Sequence, residues 1–199
     1  PLAAGATVAL FSGKPNPRAV LSKAAELSVT AFMAVPTFYR MALSRPDTEA
    51  GLDLSSVSAW VCGGEALGAS TSLDWAKRFG KDLYDMYGIS EMQVVIGNGP
   101  GIPNKPGSLG KKFPGIELSL RDDSLQEVPV GQPGQVMIKR SDPGMFLGYM
   151  NDTRKWRLAH KGEFYVTGDV MSVDEDGYYW YIARQDDFFK SKGILISPV

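Results

Sequence analysis

From residue 6 to about residue 98, short apolar runs alternate with amphipathic stretches, a rhythm that predicts strands and helices in turn on a mostly parallel sheet. Ala6 to Phe11 reads as the first strand. Asn16-Pro17 opens a helix running to about Leu27, because proline is tolerated in a first helical turn. Val29 to Val35 is almost wholly apolar, the pattern of a strand covered on both faces, and it stops at Pro36. A helix from about Thr37 to Leu43 follows, and Val57 to Cys62 forms the next strand, which runs straight into Gly63-Gly64-Glu65. Ser70 to Phe79 is a helix with Gly80 as its C-cap, and Asp82 to Met86 is a strand.

The texture changes near Pro100. Glycine and proline come thickly, the helical period is lost, and a period of two takes over. Ile116 to Leu120, Val136 to Ile138, Phe164 to Thr167, Met171 to Val173 and Tyr178 to Ile182 read as strands of a small barrel or meander. Arg121 to Ser124 and Asp174-Glu175-Asp176-Gly177 read as turns, and Asp152 with Arg154 as a turn and helix start. The chain opens without Met and closes on Ile196-Ser197-Pro198-Val199, so both ends read as cut.

Composition narrows the function classes. Among 199 residues, Lys plus Arg (21) nearly cancel Asp plus Glu (22), which gives no basic face for nucleic acid and no polybasic membrane signal. No apolar run approaches the roughly 18 residues of a membrane span. Cys62 is the single cysteine, so an internal disulfide or cysteine-rich zinc site is excluded, and a reducing, cytoplasmic setting fits. Its apolar strand makes a buried, inert thiol the default. His160 is the single histidine, in a polar stretch, and is expected to be exposed without a catalytic task. Tyr178 to Tyr181 read as packing rather than a base-stacking platform, since no cationic groove accompanies them.

Asp85-Met86-Tyr87-Gly88-Ile89-Ser90-Glu91 gathers an aromatic ring, a backbone corner, a hydroxyl and a carboxylate within seven residues. Tyr87 suits stacking on a base, Gly88 lets a ligand approach the backbone, Ser90 suits a phosphate, and Glu91 is a hard oxygen ligand for Mg²⁺. A strand leading into a turn and helix cap produces the same string, so the company it keeps decides. That company is Gly63-Gly64-Glu65-Ala66-Leu67, Tyr165-Val166-Thr167-Gly168-Asp169, and Ala183-Arg184-Gln185-Asp186-Asp187 through Lys190 and Gly193 to Pro198.

In this order and spacing the four strings resemble the adenylate-forming superfamily, specifically AMP-forming acyl-CoA synthetases of the acetate, medium-chain and aryl-acid type. The resemblance implies an α/β fold: a mostly parallel sheet with flanking helices (1–100, incomplete), a small β-barrel subdomain (101–185), and a hinge with the start of a C-terminal domain (186–199). It implies ATP or AMP, Mg²⁺ and coenzyme A as ligands, with a small carboxylic acid as substrate. By the same resemblance Gly63, Gly64 and Glu65 lie along the adenine and acyl pocket, Tyr87 packs on adenine, and Asp85 and Met86 are its polar-edge neighbours. Gly88 and Ile89 belong to the same loop; Ser90 meets the α-phosphate and Glu91 the magnesium. Asp169 grips the ribose hydroxyls, Arg184 also reaches the ribose, Asp186 is the hinge, and Lys192, Gly193 and Ile194 line the pantetheine tunnel.

The family's phosphate loop is expected upstream of Pro1 and its adenylation lysine past Val199. Ala183 stands for the commoner glycine, Leu195 where many relatives carry arginine, and Ser90 where threonine is common. Phe32, Val35, Thr37 and Phe38 fit an acyl pocket or plain core equally. Two other readings share these residues: an adenylation domain loading a carrier protein, against which stands the lack of an aspartate for an amino group between Phe32 and Thr37, and a non-catalytic AMP-binding remnant.

Overall fold

The structure, a computed structural model, describes every residue except 1, 15, 186–188, 192–193 and 197–199. After a short 3-10 turn at Leu2–Ala4, residues 6–14 are exposed and take no regular structure. The expected strand at Ala6–Phe11 is therefore absent: a strand needs a partner for its backbone, and no described strand pairs with this segment. Helix α1 (Pro17–Glu26) starts where Asn16 Oδ1 accepts a hydrogen bond from the Arg18 amide at 3.0 Å. Strand β1 (Ala31–Ala34), helix α2 (Pro36–Leu43), strand β2 (Ala59–Gly63), helix α3 (Ala69–Phe79) and strand β3 (Leu83–Ile89) complete the βα alternation. Gly80 ends α3 in the left-handed region at φ 65°.

The remaining strands are β4 (Gln93–Gly97), β5 (Gly110–Lys112), β6 (Leu118–Arg121) and β7 (Gly134–Lys139), then helix α4 (Thr153–Leu158), then β8 (His160–Lys161), β9 (Phe164–Val173) and β10 (Tyr178–Arg184). Among the described residues, strands β11 (Phe189–Ser191) and β12 (Ile194–Ile196) pair only with each other. All ten others form one sheet in the order β1-β2-β3-β4-β5-β10-β9-β7-β6, with β8 against β9. The fold is α/β as expected, with parallel pairing at β1-β2 and β2-β3 and antiparallel pairing from β3 onward. The β-rich half does not close into a barrel; its strands continue the same open sheet across residue 100.

Two cores hold this sheet. One face of β1 and β2 carries Phe32, Trp60 and Cys62 under the helices, where Trp60 and Trp75 lie 5.1 Å apart and Trp75 stacks on Phe79 at 3.8 Å. Phe32 and Phe38 belong to this core. The opposite face is open rather than covered, since Met33 is 66% exposed, which leaves room beside β1 for a cavity. The second core joins Val95, Ile96, Val136, Ile138 and Met171 from both halves of the chain with Tyr87.

Candidate active site

Three parallel strands deliver their carboxyl ends to one place. A cavity of about 320 Å³ is lined there by Met33 of β1, Gly63 and Gly64 at the end of β2, and Met86, Gly88, Ile89, Ser90, Gln93 and Val94 of the β3–β4 hairpin. The crevice outside the carboxyl ends of parallel strands is where open α/β sheets bind ligands. The backbone makes this cavity. Strand β3 does not stop at Met86 but runs to Ile89, turns at Ser90 to Met92, and returns as β4, with the Met92 amide on the Ile89 carbonyl at 3.2 Å. Gly88 sits against the returning strand so closely that a Cβ would collide with the Gln93 carbonyl, so no other residue fits. Gln93 itself adopts φ 67°, an unusual conformation that the sequence did not signal.

The Gly63–Leu67 loop is held at two points. From α2, Thr37 donates to Glu65 Oε2 at 2.7 Å and Arg40 to the same oxygen at 2.8 Å. From below, Asp85 accepts hydrogen bonds from the Met86 amide at 2.9 Å and from the Leu67 amide, and Cys62 Sγ lies 3.4 Å from its Oδ1. Asp85 is 3% exposed, and burial pushes its carboxyl up to about 7 against these hydrogen bonds. Burial also raises the Cys62 thiol, with the Asp85 charge adding to it, so the thiol is inert as expected. Alternation along β3 thus sends Met86 into the cavity and Asp85 into the interior, where it anchors the glycine loop rather than lining the cavity.

Tyr87 follows Asp85, not Met86. Its ring is 9% exposed in the second core, and its hydroxyl donates to Asp169 Oδ2 at 2.6 Å. Burial and the Asp169 carboxylate both hold the Tyr87 hydroxyl in its protonated form. Asp169 lies within the single long strand β9, not between two strands, and its other oxygen faces Arg184 Nη1 at 3.6 Å and the Tyr181 hydroxyl at 3.4 Å. Tyr87, Asp169 and Arg184, from three separate motifs, are brought together here, with Tyr181 as a further member that local sequence does not mark.

Glu91 stands at the hairpin tip. Its carbonyl accepts from the Phe146 amide at 2.8 Å and its carboxylate from the Tyr149 hydroxyl at 2.7 Å, two partners that lie outside every motif. A carboxylate offers about four lone-pair positions, so acceptor capacity is left for a cation. Mg²⁺ completed by substrate phosphates needs only one or two protein carboxylates, and among the described residues no larger group of His, Cys, Asp or Glu is gathered, so Glu91 fits that ion. His160 is half-buried rather than exposed: its Nδ1 donates to the Trp156 carbonyl at 2.6 Å and its ring packs against Trp156 at 4.1 Å. Asp186, Lys192 and Gly193 lie outside the described residues, and Ile194 opens β12. No helix of the described residues is long and apolar enough to cross a membrane.

Known proteins resemble this chain over most of its length. The mitochondrial acyl-coenzyme A synthetase ACSM3 of Mus musculus is 32% identical over 182 residues, 90% of this chain and 31% of that protein. The benzoate–CoA ligase of Thauera aromatica is 35% identical over 201 residues, all of this chain and 37% of that protein. The chain thus spans about a third of the length of the curated relatives it matches. Among solved structures, the anthranilate CoA ligase AuaEII in complex with anthranoyl-AMP superposes with a TM-score of 0.88 at 38% identity, over 98% of this chain and 37% of that one. The amide bond synthetase McbA from Marinactinospora thermotolerans superposes with a TM-score of 0.81 at 26% identity, over 91% of this chain and 37% of that one. The family model described as AMP-binding enzyme matches residues 1–150, and the chain belongs to that family.

Proposed function

We propose that the protein carrying this chain is an AMP-forming acid:CoA ligase and that these residues form its nucleotide-binding middle. The observation that carries the reading is the cavity at the carboxyl ends of β1, β2 and β3, in a chain whose fold follows the anthranoyl-AMP complex along almost all its length. In the first half-reaction a carboxylate oxygen attacks the α-phosphorus of ATP and pyrophosphate leaves, giving an acyl-adenylate. In the second, the CoA sulfur attacks the acyl carbon, AMP leaves and the thiol proton is released. Both steps build charge on groups that a protein stabilises chiefly by position and electrostatics.

In this reading Ser90 meets the α-phosphate, Gly63, Gly64 and Glu65 shape the wall along adenine and acyl group, and Met86 lies at the purine edge. Asp169 and Arg184 serve the ribose, and the Tyr87 hydroxyl holds the Asp169 carboxylate for it. Glu91 holds Mg²⁺, which neutralises phosphate charge when bound with ATP. Asp186 is the hinge, and Lys192, Gly193 and Ile194 line the path of the CoA arm. The acid in this reading is small and aliphatic or aromatic, as the names of the similar benzoate–CoA ligase and anthranilate CoA ligase suggest. A cytoplasmic site and a part in fatty-acid metabolism belong to the same proposal.

The test is pyrophosphate release by the product of the complete reading frame, with ATP, magnesium and a panel of acetate, hexanoate, benzoate and anthranilate, followed by thioester analysis with CoA. Release with at least one acid, and a CoA thioester of the same acid, is expected. No release with any acid would overturn the reading, and release without a CoA thioester would move the acceptor to a carrier protein.

A further inference from the structure

The carboxylate read as the magnesium ligand is not free to rotate. Tyr149 lies 58 residues downstream, in the loop between β7 and α4, and its hydroxyl donates to Glu91 Oε1 at 2.7 Å. The Tyr165 hydroxyl of β9 lies 3.1 Å from the Tyr149 oxygen. Each phenol has one proton. Tyr149 spends its proton on a carboxylate that can only accept, so Tyr165 is the donor to Tyr149, and the Tyr165 hydroxyl also faces the Glu91 carboxylate directly. The trio is braced on all sides. Phe146 packs edge-on against Tyr149 at 4.9 Å, against Trp156 at 4.8 Å and against Tyr165 at 5.8 Å, while Lys155 Nζ sits 4.2 Å over the Tyr149 ring. The Phe146 amide on the Glu91 carbonyl at 2.8 Å ties the same loop to the backbone of the hairpin tip.

We propose that Tyr149 is a positioning residue for the metal: it fixes the Glu91 carboxylate in the rotamer that receives Mg²⁺ with the nucleotide phosphates, and Tyr165 in turn fixes Tyr149. The proposal rests on Glu91 being the magnesium carboxylate. A glutamate side chain at a hairpin tip has three rotatable bonds, and a metal must otherwise order them on binding. Hydrogen bonds that orient a ligating carboxylate typically change metal affinity by about 10- to 100-fold when removed. The geometry meets that requirement without supplying a second carboxylate, which a phosphate-bound magnesium does not need.

The experiment uses Mn²⁺ as the paramagnetic probe, titrated against the product of the complete reading frame with a non-hydrolysable ATP analogue and read by electron paramagnetic resonance. Tyr149→Phe is expected to weaken Mn²⁺ binding about tenfold. Tyr165→Phe keeps the Tyr149–Glu91 bond and is expected to weaken it about threefold, the effect of one neutral hydrogen bond. AMP binding without metal is measured in parallel, and both variants are expected to keep it, which a general loss of structure would not allow. Unchanged Mn²⁺ affinity in both tyrosine variants, with a large loss in Glu91→Gln, would overturn the positioning role and leave the metal ligand standing. Unchanged Mn²⁺ affinity in Glu91→Gln would remove the metal reading itself, and the proposal with it.

Discussion

Replacing Asp85 by asparagine should make the protein less stable by about 1–3 kcal/mol at pH 4 and should progressively offset that loss as the pH rises to 7. Asp85 is buried under the glycine loop, and burial raises its carboxyl from 3.8 to about 7. The unfolded chain releases this proton near pH 4, whereas the folded chain keeps it until about pH 7. Stability is therefore fully present below pH 4 and falls as pH rises to 7, by up to 1.36 kcal/mol per pH unit. Over the interval from 3.8 to about 7 this amounts to about 4 kcal/mol as an upper bound. Asparagine keeps one oxygen for the Met86 amide and the Cys62 thiol, which share Oδ1, but puts an NH₂ group where the second carboxylate oxygen was, which costs about 1–3 kcal/mol at every pH. The informative quantity is the difference in urea-unfolding free energy between variant and parent, measured from pH 4 to pH 8.5. That difference should climb in favour of the variant between pH 4 and pH 7 and then level off, because the other carboxylates cancel. A flat difference across this range would show that Asp85 ionises in the folded protein as it does in water, and the account of its burial would fail.

Gly88→Ala should unfold the hairpin or cost about 3 kcal/mol or more, since the added carbon meets backbone of Gln93 and Val94 rather than a movable side chain; an unchanged melting temperature would contradict it. Arg78→Ala should cost about 3 kcal/mol. Its guanidinium binds the carbonyls of Ala42, Leu43, Arg45 and Pro46 and both oxygens of Glu49, and Arg78→Lys should recover little because an ammonium cannot form that fork; full recovery in thermal unfolding would argue against it. Tyr87→Phe should lose about 1–3 kcal/mol by leaving Asp169 short of a buried donor, and calorimetry showing no loss would mean that the 2.6 Å contact carries little energy.

Local chemistry was legible and distant pairing was not. The starts of α1 and α2 and the end of α3 follow from Asn16-Pro17, Pro36 and Gly80, residues whose backbone preferences act within one turn. The four site strings were visible because each is contiguous. The segment Ala6–Phe11 has a strand's composition, yet pairing is a property of two segments and composition speaks for one. The contact of Tyr149 with Glu91 escaped for the same reason: a tyrosine 58 residues from a glutamate leaves no mark on either neighbourhood. Orientation was also hidden. Asp85, Met86 and Tyr87 read as one ligand-facing run, but in a strand consecutive side chains face opposite ways, so Met86 alone of the three lines the cavity.

The contact between Tyr87 and Asp169 also fixes the shape of the sheet. Their strands, β3 and β9, are separated by β4, β5 and β10, four spacings of about 4.8 Å, so a flat sheet would hold them about 19 Å apart. The side chains nevertheless meet at 2.6 Å. A tyrosine and an aspartate together reach only about half that span, so the sheet must curl around its second core, and the barrel-like rhythm read from residue 100 onward expresses this curl without closure. Between β3 and β9 lies β5, the three-residue strand that pairs with both β4 and β10. There Gly110 lies so near the Gly97 backbone that a Cβ would collide with it. The ribose carboxylate proposed at Asp169 and the hairpin of Gly88 to Glu91 are therefore set relative to each other by a glycine contact in neither motif. Filling that contact should loosen the pairing of Tyr87 with Asp169 while leaving the α-helical half intact.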